Sequence, residues 1–426
     1  MKRALIITYY WPPAGGPGVQ RWLNFVKYLG EFNVEPVVYA PQNPHYPILD
    51  KDLLEHIPSK IEVIKQPVKE PYRFAGMFSK KKTQRMSSGI ISEKSTGNLE
   101  KLMLYIRGNY FIPDARVGWV KPSVNFLKEY LKENNFDTVI TTGPPHSLHL
   151  IGLRLKEISG IPWIADFRDP WTTIHYHKSL RLTKNSEEKH KKLEQEVLRN
   201  ADHIVVTSET TLKEFSEKTN QPISVITNGY ELTEEIIPKP DPKFTLAHIG
   251  SLLSDRNPES LWQVLSELCA ENTDFKADLL IKLVGVVSEE VQGSLEKYGL
   301  TNHSQTEGYV PHKVAKQLQY NAQVLLLLEM DKPETRAIIP GKLFEYLAAE
   351  RPIVAIGPEG SDIAKILDET RAGSFYNPLQ KREIKEKLLE LYHSFQNGCL
   401  NIHPVGIERF SRRELTRSLS EIIHRI

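Results

Sequence analysis

The chain has 426 residues, 40% of them hydrophobic and 25% charged, which is typical of globular proteins and too long for one ordinary core. Its 55 lysines and arginines nearly balance its 53 aspartates and glutamates, so the formal charge of +2 gives no indication of a nucleic-acid partner. The two cysteines, Cys269 and Cys399, provide neither a disulfide framework nor a metal-ligand cluster and fit a reducing cytoplasm.

The chain begins with an apolar strand, a glycine-rich loop and a helix. Residues 4–10 form a short apolar run, residues 12–18 read P-P-A-G-G-P-G, and apolar residues recur at helical spacing over 19–29. Gly16 and its neighbours would let a ligand approach the backbone at the head of this helix, although a purely structural turn explains the loop equally well. Further strands are predicted at 36–40 and 61–64. This alternation is typical of a parallel sheet covered by helices.

The glycine loop does not match the fingerprint of dinucleotide-binding folds. That fingerprint has G-x-G-x-x-G and an acidic residue at the end of the second strand, whereas here the glycines run G-G-P-G and the strand ends at Ala40 and Pro41. A nicotinamide-dependent oxidoreductase is therefore disfavoured.

Residues 68–118 interrupt the alternation and are predicted to be an insertion. The lysines at 80–82 lie near Phe74 and Phe78, a mixture that can bind an anionic membrane surface, although a solvated loop is the commoner reason for a charge run. No apolar stretch approaches the roughly 20 residues of a membrane span, so any membrane contact is expected to be peripheral. The insertion ends in F-I-P-D-A-R-V-G-W, which mixes aromatic and charged groups as binding loops do and makes Arg116 a candidate ligand contact.

Two polar clusters follow consecutive predicted strands. Strand 138–142 leads into G-P-P-H, and strand 162–165 leads into D-F-R-D-P-W. In an open parallel sheet, ligands bind beyond the carboxyl ends of the strands, where both clusters should lie. A local ion-pair turn is the alternative, but the strand-end position favours function. The candidate residues are His146, Asp166, Arg168, Asp169 and Trp171.

A proline-rich stretch divides the chain. Residues 231–242 contain three prolines and mixed charge, as linkers do, and a strand at 244–249 and a polar loop with Arg256 follow. The predicted domains are residues 1–238 and 239–404, with 405–426 as a C-terminal helix that could return to the first domain.

The stretch 340–356, P-G-K-L-F-E-Y-L-A-A-E-R-P-I-V-A-I, predicts a short helix from about Lys342 and a buried strand after it. The backbone N–H groups at its start, from Gly341 to Leu343, and the positive end of the peptide dipoles attract an anion such as a phosphate. Lys342 adds a full charge, and Glu345 lies one turn further on, where it can accept hydrogen bonds from a sugar hydroxyl. An intrahelical ion pair between Lys342 and Glu345 is the alternative.

Taken together, these segments resemble the retaining glycosyltransferases of GT-B fold, specifically the large family-four group. The resemblance covers nearly the whole chain except the insertion, and it rests on the order and spacing of five motifs. These are P-P-A-G-G-P-G-V-Q-R at 12–21, A-D-F-R-D-P-W at 165–171, I-T-N-G-Y at 226–230, H-I-G-S-L at 248–252 and P-G-K-L-F-E-Y-L at 340–347. It implies an α/β protein with two doubly wound parallel-sheet, Rossmann-like domains facing a cleft.

The resemblance also implies an activity: transfer of a sugar from a nucleotide-sugar donor to a hydroxyl of a glycan or lipid-linked acceptor, with retention and without a metal or other cofactor. Arg256, Lys342 and the helix start at 341–343 would hold the diphosphate, Gly16 would approach the donor, and Glu345 would grip its ribose. The acceptor side would comprise His146, Asp166, Arg168 and Asp169 as candidate catalytic residues, with Arg116 and Trp171 as contacts. The expected location is the cytoplasm, with possible contact at the inner face of the membrane.

Two departures from the family pattern leave alternatives open. The family's first glutamate, eight residues before the second, is replaced by Ala337, although Glu334 lies nearby. The second basic residue of the R-x4-K pair is replaced by Leu261, and Lys342 would have to supply its charge. A catalytically silent sugar-nucleotide-binding protein and a GT-B epimerase are the alternatives.

Overall fold

The computed structural model describes residues 1–68, 98–231, 236–398, 400 and 402–426. It contains two compact units, one formed by residues 1–228 together with 412–426 and the other by residues 229–411. No helix within the described ranges is long and apolar enough to cross a bilayer. Cys399 and the lysines at 80–82 lie outside the described residues.

The helices and strands are numbered here in chain order over the described residues. The strands of the first unit are β1 (Lys2–Ile7), β2 (Val34–Pro41), β3 (Glu62–Gln66), β4 (Thr138–Gly143), β5 (Trp163–Phe167), β6 (His203–Val206) and β7 (Ile223–Val225). Its helices are α1 (Pro17–Leu29), α2 (Asn98–Tyr110), α3 (Val117–Glu133), α4 (Ser147–Ser159), α5 (Lys184–Asn200) and α6 (Glu209–Ser216). The strands of the second unit are β8 (Phe244–Ile249), β9 (Leu279–Val284), β10 (Ser304–Glu307), β11 (Val324–Leu328), β12 (Ile353–Ile356) and β13 (Gly373–Tyr376). Its helices are α7 (Glu259–Glu271), α8 (Thr273–Asp278), α9 (Glu289–Lys297), α10 (His312–Asn321), α11 (Gly341–Ala348), α12 (Asp362–Thr370) and α13 (Lys381–Gln396). The final helix, α14 (Arg412–Arg425), belongs to the first unit.

The first unit is built on a seven-stranded parallel sheet in the order β3-β2-β1-β4-β5-β6-β7. Successive side chains of β1 point to opposite faces, so Leu5 and Ile7 join one buried cluster while Ala4 and Ile6 join another. Both faces are therefore covered, which explains why these strands read as continuous apolar runs in the sequence. The order of the strands reverses between β1 and β4, and this is where ligands of open parallel sheets bind.

The C-terminal helix α14 covers one face of the first sheet. Leu415, Leu419 and Ile423 are buried in the same cluster as Trp22 of α1 and Ile6 of β1. This packing explains the helical spacing of apolar residues near the end of the sequence.

The second unit is built on a six-stranded parallel sheet in the order β10-β9-β8-β11-β12-β13. Alternate residues again divide between two clusters, with Leu246 and Leu326 on one face and Ala247 and Leu327 on the other. Here the strand order reverses between β8 and β11. The predicted α/β class with two parallel-sheet domains is confirmed.

The structure corrects the sequence analysis at three places. Helix α3 begins at Val117, so its first residues lie within the predicted insertion at 68–118, and it contains Pro122. Helix α2 lies inside the segment that was treated as an insertion. Strand β10 was not predicted, because its sequence S-Q-T-E is polar and lacks the apolar pattern of a buried strand.

Two helical glycines should respond oppositely to alanine substitution. A Cβ at Gly152 of α4 would lie 2.5 Å from Cε2 of the buried Trp163, whereas a Cβ at Gly293 of α9 would meet nothing within 4 Å. We expect Gly152→Ala to destabilise its unit by about 1–3 kcal/mol through overpacking. Gly293→Ala should stabilise its unit by up to about 1 kcal/mol, because alanine is the better helix former. Urea unfolding of the two variants measures both effects, and equal shifts would contradict the packing described for α4.

Candidate functional site

The reversal point of the second sheet gathers charged side chains at the carboxyl ends of two neighbouring strands. His248 lies near the end of β8, and Glu329 directly follows β11. The loop after β8 carries Arg256, and the loop after β11 leads to α11, whose second residue is Lys342. Because these strands are adjacent and parallel, residues far apart in sequence meet at one edge of the sheet.

The ammonium of Lys342 is held over the turn that follows β8. Its Nζ lies 3.3 Å from Nε2 of His248. A Cβ at Gly250 would lie 2.7 Å from the same Nζ, so the absence of a side chain there makes room for the lysine. Burial lowers the pKa of Lys342 to about 8; the charge of Glu329 opposes this shift and that of Arg256 adds to it. The lysine is therefore a partly buried cation whose pKa lies close to neutral pH.

Arg256 and Glu329 form an ion pair beside the lysine. Arg256 Nη2 lies 3.3 Å from Glu329 Oε2, and the other oxygen of Glu329 is buried without a hydrogen-bond partner. Burial raises the pKa of Glu329, and the charges of Arg256 and Lys342 oppose that rise. Glu329 pairs directly with Arg256 and lies near Lys342 without an ion pair to it, so one carboxylate faces two cations and the cluster keeps an excess of positive charge for an anionic ligand.

Glu345 lies one turn beyond Lys342 on α11, where two side chains of α10 orient it. His312 Nε2 lies 3.1 Å from Oε1, and Gln319 Nε2 donates to Oε2 at 2.9 Å. Burial alone would raise the pKa of Glu345, but hydrogen bonds to His312 and Gln319 and the charge of Lys316 lower it overall. An ionised carboxylate offers about four acceptor sites, so lone pairs remain for a ligand hydroxyl.

A shallow depression, open to solvent and with room for about one water molecule, adjoins Glu345. Its lining residues are Tyr230, Glu231, Lys316, Gln319, Tyr320, Glu345 and Ala348. The depression brings two aromatic rings and polar side chains together beside Glu345.

The start of α11 has the predicted form of a helix N-terminus. Gly341 is its first residue, and nothing lies within 4 Å of the position of a Cβ there. The N–H of Leu343 donates to Pro340 O at 3.0 Å, and the Leu343 side chain is fully buried. Leu343 therefore anchors the helix start in the core, while Gly341 leaves space beside it.

In the first unit, Asp166 is the centre of a buried network. Its carboxylate accepts from Arg21 Nη2 at 2.9 Å, from Trp22 Nε1 at 2.8 Å and from Thr142 Oγ1 at 2.8 Å. Asp166 is 1% exposed and Arg21 is fully buried. With its acceptor sites engaged and no exposed surface, Asp166 in this arrangement links α1, β4 and β5.

His146 stacks on Trp171 beside the end of β4. Their ring centroids lie 5.1 Å apart with an interplanar angle of 2°, and the indole Nε1 of Trp171 lies 3.1 Å from His190 Nδ1. Burial, with smaller contributions from nearby cations and imidazoles, lowers the pKa of His146 well below its ordinary range. Both ring nitrogens of His146 are buried without hydrogen-bond partners, so it is a neutral imidazole with an unengaged basic nitrogen.

Arg168 and Asp169 follow β5 and lie close to the glycine loop. The guanidinium of Arg168 donates to the carbonyl oxygens of Gly143 and Pro144, and a Cβ at Gly18 would collide with it. Burial raises the pKa of Asp169, and the charge of Arg168 opposes that rise. The first helix and the two strand-end clusters therefore meet at this edge of the first sheet.

Gly16 and Arg116 lie at the same end of the first sheet. Gly16 precedes α1 with a φ of +107°, a conformation that favours glycine, and the space beside it is open. Arg116 is 6% exposed and places its guanidinium 4.7 Å from the centre of the Tyr9 ring. Arg116 and Trp171 therefore present little accessible surface, although sequence reasoning predicted both as acceptor contacts.

Four side chains of the second-unit site were missed from the sequence: His248, Glu329, His312 and Gln319. His248 lies near the end of one buried strand and Glu329 directly follows another, and this strand-end position is the signal in the sequence that points to them. The last two follow one face of a helix at positions i and i+7, which an amphipathic pattern also explains. Within the described part of the chain, no group of three or more His, Cys, Asp or Glu side chains is placed to hold a metal ion.

Comparison with known proteins gives a family match to part of the chain. Residues 90–234 match the family described as Glycosyltransferase Family 4. No curated protein matches the chain at the level of sequence.

Solved structures resemble the chain over its whole length. A glycosyltransferase from Rickettsia africae ESF-5 is 13% identical with a TM-score of 0.62, covering 100% of this chain and 98% of that one. WaaG, a glycosyltransferase involved in lipopolysaccharide biosynthesis, is 13% identical with a TM-score of 0.56 and covers 99% of each chain. A mutant of S. aureus TarM in complex with UDP and other ligands is 10% identical with a TM-score of 0.60, covering 99% of this chain and 100% of that one.

The two parallel-sheet units thus form the GT-B fold of these glycosyltransferases. The match of residues 90–234 to Glycosyltransferase Family 4, together with this fold, supports a glycosyltransferase.

Replacing Asp166 should destabilise the first unit. Asp166→Asn leaves the buried guanidinium of Arg21 without its counter-charge, and breaking a buried pair in this way costs about 3–5 kcal/mol. Denaturant unfolding measures this loss. The matched control is Glu187→Gln, which breaks the exposed pair with Lys191 and should change stability by at most about 0.5 kcal/mol. Full stability of Asp166→Asn combined with lost activity would contradict the structural role described here.

Proposed function

We propose that this protein is a retaining, metal-independent glycosyltransferase of hexosyl type that uses a nucleotide-sugar donor. One observation carries the proposal: Arg256 and Lys342 meet at the reversal point of the second sheet, with Glu345 one turn further along the same helix. Cations suit a diphosphate, and a carboxylate suits the hydroxyls of a ribose. The family match over 90–234 and the GT-B fold support this reading.

The main role of the second-unit cluster would be to stabilise the leaving group. In the transfer, the bond between the anomeric carbon and the diphosphate oxygen breaks, and a bond to the acceptor oxygen forms. The leaving diphosphate gains negative charge in the transition state, and preorganised cations in a buried site stabilise that charge strongly. Arg256 and Lys342 would perform this role, and the proton of the acceptor hydroxyl would pass to a base.

Among the first-unit candidates, His146 has ring nitrogens without a hydrogen-bond partner among the described residues, so it could accept that proton. Burial lowers its pKa, which keeps the imidazole neutral and also makes it a weaker base. Asp169 is a second candidate, since burial raises its pKa. Asp166 is less suited, because Arg21 and two further donors engage its carboxylate. Arg168 would support the site by fixing the backbone turn after β4.

Binding of nucleoside diphosphates tests the donor site. Lys342→Ala should weaken both UDP or GDP and inorganic pyrophosphate about tenfold or more, because it removes a charge-assisted contact. Glu345→Gln should weaken the nucleoside diphosphate more than pyrophosphate, because its proposed partner is the ribose. Affinity should also fall as the pH rises through about 8 and Lys342 loses its proton, and this dependence should vanish in Lys342→Ala.

Titration calorimetry with UDP, GDP and pyrophosphate measures these affinities. Lys365→Ala is the matched control, since Lys365 is an exposed lysine of the same unit that pairs with Glu369. If no nucleoside diphosphate binds the wild-type protein, the proposed donor class is wrong.

A catalytically silent binding protein is the second candidate, and Ala337 at the position of the family's first glutamate favours it. Glu334 lies in a 3₁₀ turn nearby, whereas Glu329 is the carboxylate that pairs with Arg256. Slow donor hydrolysis or transfer that disappears in Lys342→Ala would exclude the silent protein. Conversion of the donor sugar without an acceptor would instead identify an epimerase.

The proposed acceptor is a glycan or lipid-linked hydroxyl, with the protein at the inner face of the membrane. Helix α2 supports the membrane contact, because Leu102, Tyr105, Ile106 and Tyr110 form an exposed stripe at helical spacing. Lys101 lies on the same helix and would favour anionic headgroups.

Flotation with anionic liposomes tests the membrane contact. Wild-type protein should float with the vesicles, and Leu102→Gln combined with Ile106→Gln should reduce the floating fraction because it removes apolar surface. The control is Leu379→Gln, at a residue that is 89% exposed in the other unit. Absence of wild-type binding would remove the membrane contact and leave the donor site untouched.

A further inference from the structure

His248 is a fully buried histidine, and both of its ring nitrogens have partners. Nδ1 lies 3.0 Å from the backbone oxygen of Leu326 in the neighbouring strand β11, and Nε2 lies 3.3 Å from Nζ of Lys342. It therefore links two adjacent strands at the reversal point to the start of α11.

These two contacts define the protonation state of the ring. A carbonyl oxygen only accepts, so Nδ1 must carry the proton that it donates to Leu326. An ammonium only donates, so Nε2 must be the unprotonated acceptor for Lys342. Burial, followed by the charge of Lys342, lowers the pKa of His248 well below its ordinary range, and this outweighs the hydrogen bond to the backbone of Leu326. His248 is thus a neutral acceptor facing a cation.

A neutral partner affects Lys342 differently from a carboxylate. Among the described residues, no carboxylate oxygen lies within ion-pair distance of Lys342 Nζ, although Glu329 is close enough to raise its pKa. Glu329 pairs with Arg256 instead. No direct ion pair with a described residue therefore compensates the charge of Lys342. The hydrogen bond to His248 nevertheless fixes the orientation of its flexible side chain.

Two glycines make this placement possible. A Cβ at Gly250 would lie 2.7 Å from Lys342 Nζ, and a Cβ at Gly285 would lie 2.8 Å from the backbone of Gly250. Both have φ near +120°, where glycine is strongly preferred. The turn after β8 therefore lies in close contact with the residue that follows β9 on one side and with the Lys342 ammonium on the other.

We propose that His248 is a positioning residue that holds the Lys342 ammonium, through a neutral hydrogen bond, toward the phosphate groups of a nucleoside diphosphate. This inference rests on the proposed function, since Lys342 must contact the diphosphate for its orientation to matter. His248 itself does not touch the ligand.

Two substitutions separate the positioning role from a structural one. The side chain of asparagine can place a donor near the position of Nδ1, and that of glutamine can place an acceptor near the position of Nε2. His248→Asn keeps the bond to Leu326 and loses the acceptor for Lys342, whereas His248→Gln does the reverse. We expect His248→Asn to weaken pyrophosphate and UDP or GDP about tenfold, and His248→Gln to remain within about threefold of wild type.

A merely structural histidine predicts the opposite order, because the link between β8 and β11 would survive only in the asparagine variant. Titration calorimetry gives the affinities, and thermal unfolding shows whether each variant is folded. In a Lys342→Ala background, His248→Asn should have no further effect on binding, since the residue through which it acts is gone.

A measurement on the protein with native His248 tests the proposal even if one of the two variants fails to fold. Nitrogen-15 NMR of histidine-labelled protein should show Nδ1 protonated and Nε2 unprotonated, and the Nε2 resonance should shift in Lys342→Ala. A protonated Nε2, or a glutamine variant weaker than the asparagine variant, overturns the inference alone. If Lys342→Ala binds pyrophosphate and nucleoside diphosphates as wild type does, the proposed donor site fails, and the role of His248 with it.

Discussion

Parallel strand pairing is the constraint on which the candidate sites depend. Each sheet has all its strands pointing the same way, so the carboxyl ends of strands that are distant in sequence lie at one edge. Reversal of strand order then opens a gap between helices on opposite faces, at β1 and β4 in one unit and at β8 and β11 in the other. The polar residues of the candidate sites lie just after the strands that flank these gaps. The strands themselves are apolar because helices cover both faces of each sheet.

The two units use buried charge in different ways at these edges. Asp166 in the first unit receives three hydrogen bonds, one of them from a buried guanidinium, so its charge is compensated within the protein. In the second unit, Glu329 pairs with Arg256 while the nearby Lys342 has no direct carboxylate partner among the described residues, and one oxygen of Glu329 has no hydrogen-bond partner. A buried network whose hydrogen bonds are all made, such as that of Asp166, makes a core rigid. A buried charge that is only partly compensated can instead contribute binding free energy to an ionic ligand. Both sites contain a carboxylate and an arginine, and they differ in how many hydrogen bonds the carboxylate receives.

Much of the fold could be predicted from the sequence, because buried parallel strands and amphipathic helices leave strong patterns. The helix from Gly341 was found from its turn residues and apolar spacing, and the polar edge strand β10 was missed because it lacks an apolar pattern. For the site, Lys342 and Glu345 stand out because they share one short helix. His248 could not be connected to them, since its partners lie 78 and 94 residues away and only the strand order brings them together.

The structural position of Asp166 was hidden for the same reason. Its partner Arg21 is 145 residues away in the sequence. The sequence alone does not distinguish a strand-end carboxylate that pairs with a buried arginine from one that binds a ligand. Sequence reasoning can therefore nominate strand-end residues, but pairing across the sheet decides which of them remain available.

The packing of α14 has a consequence for synthesis of the protein. Leu419 and Ile423 pack in the same cluster as residues of β1 and α1, on one face of the first sheet. The first unit is therefore completed by a segment that follows the second unit in the sequence. While the ribosome is still producing the second unit, that face of the first sheet lacks its cover and exposes apolar surface to water. The first unit can complete its core only after residues 412–425 emerge, even though its first strand is the earliest to be made.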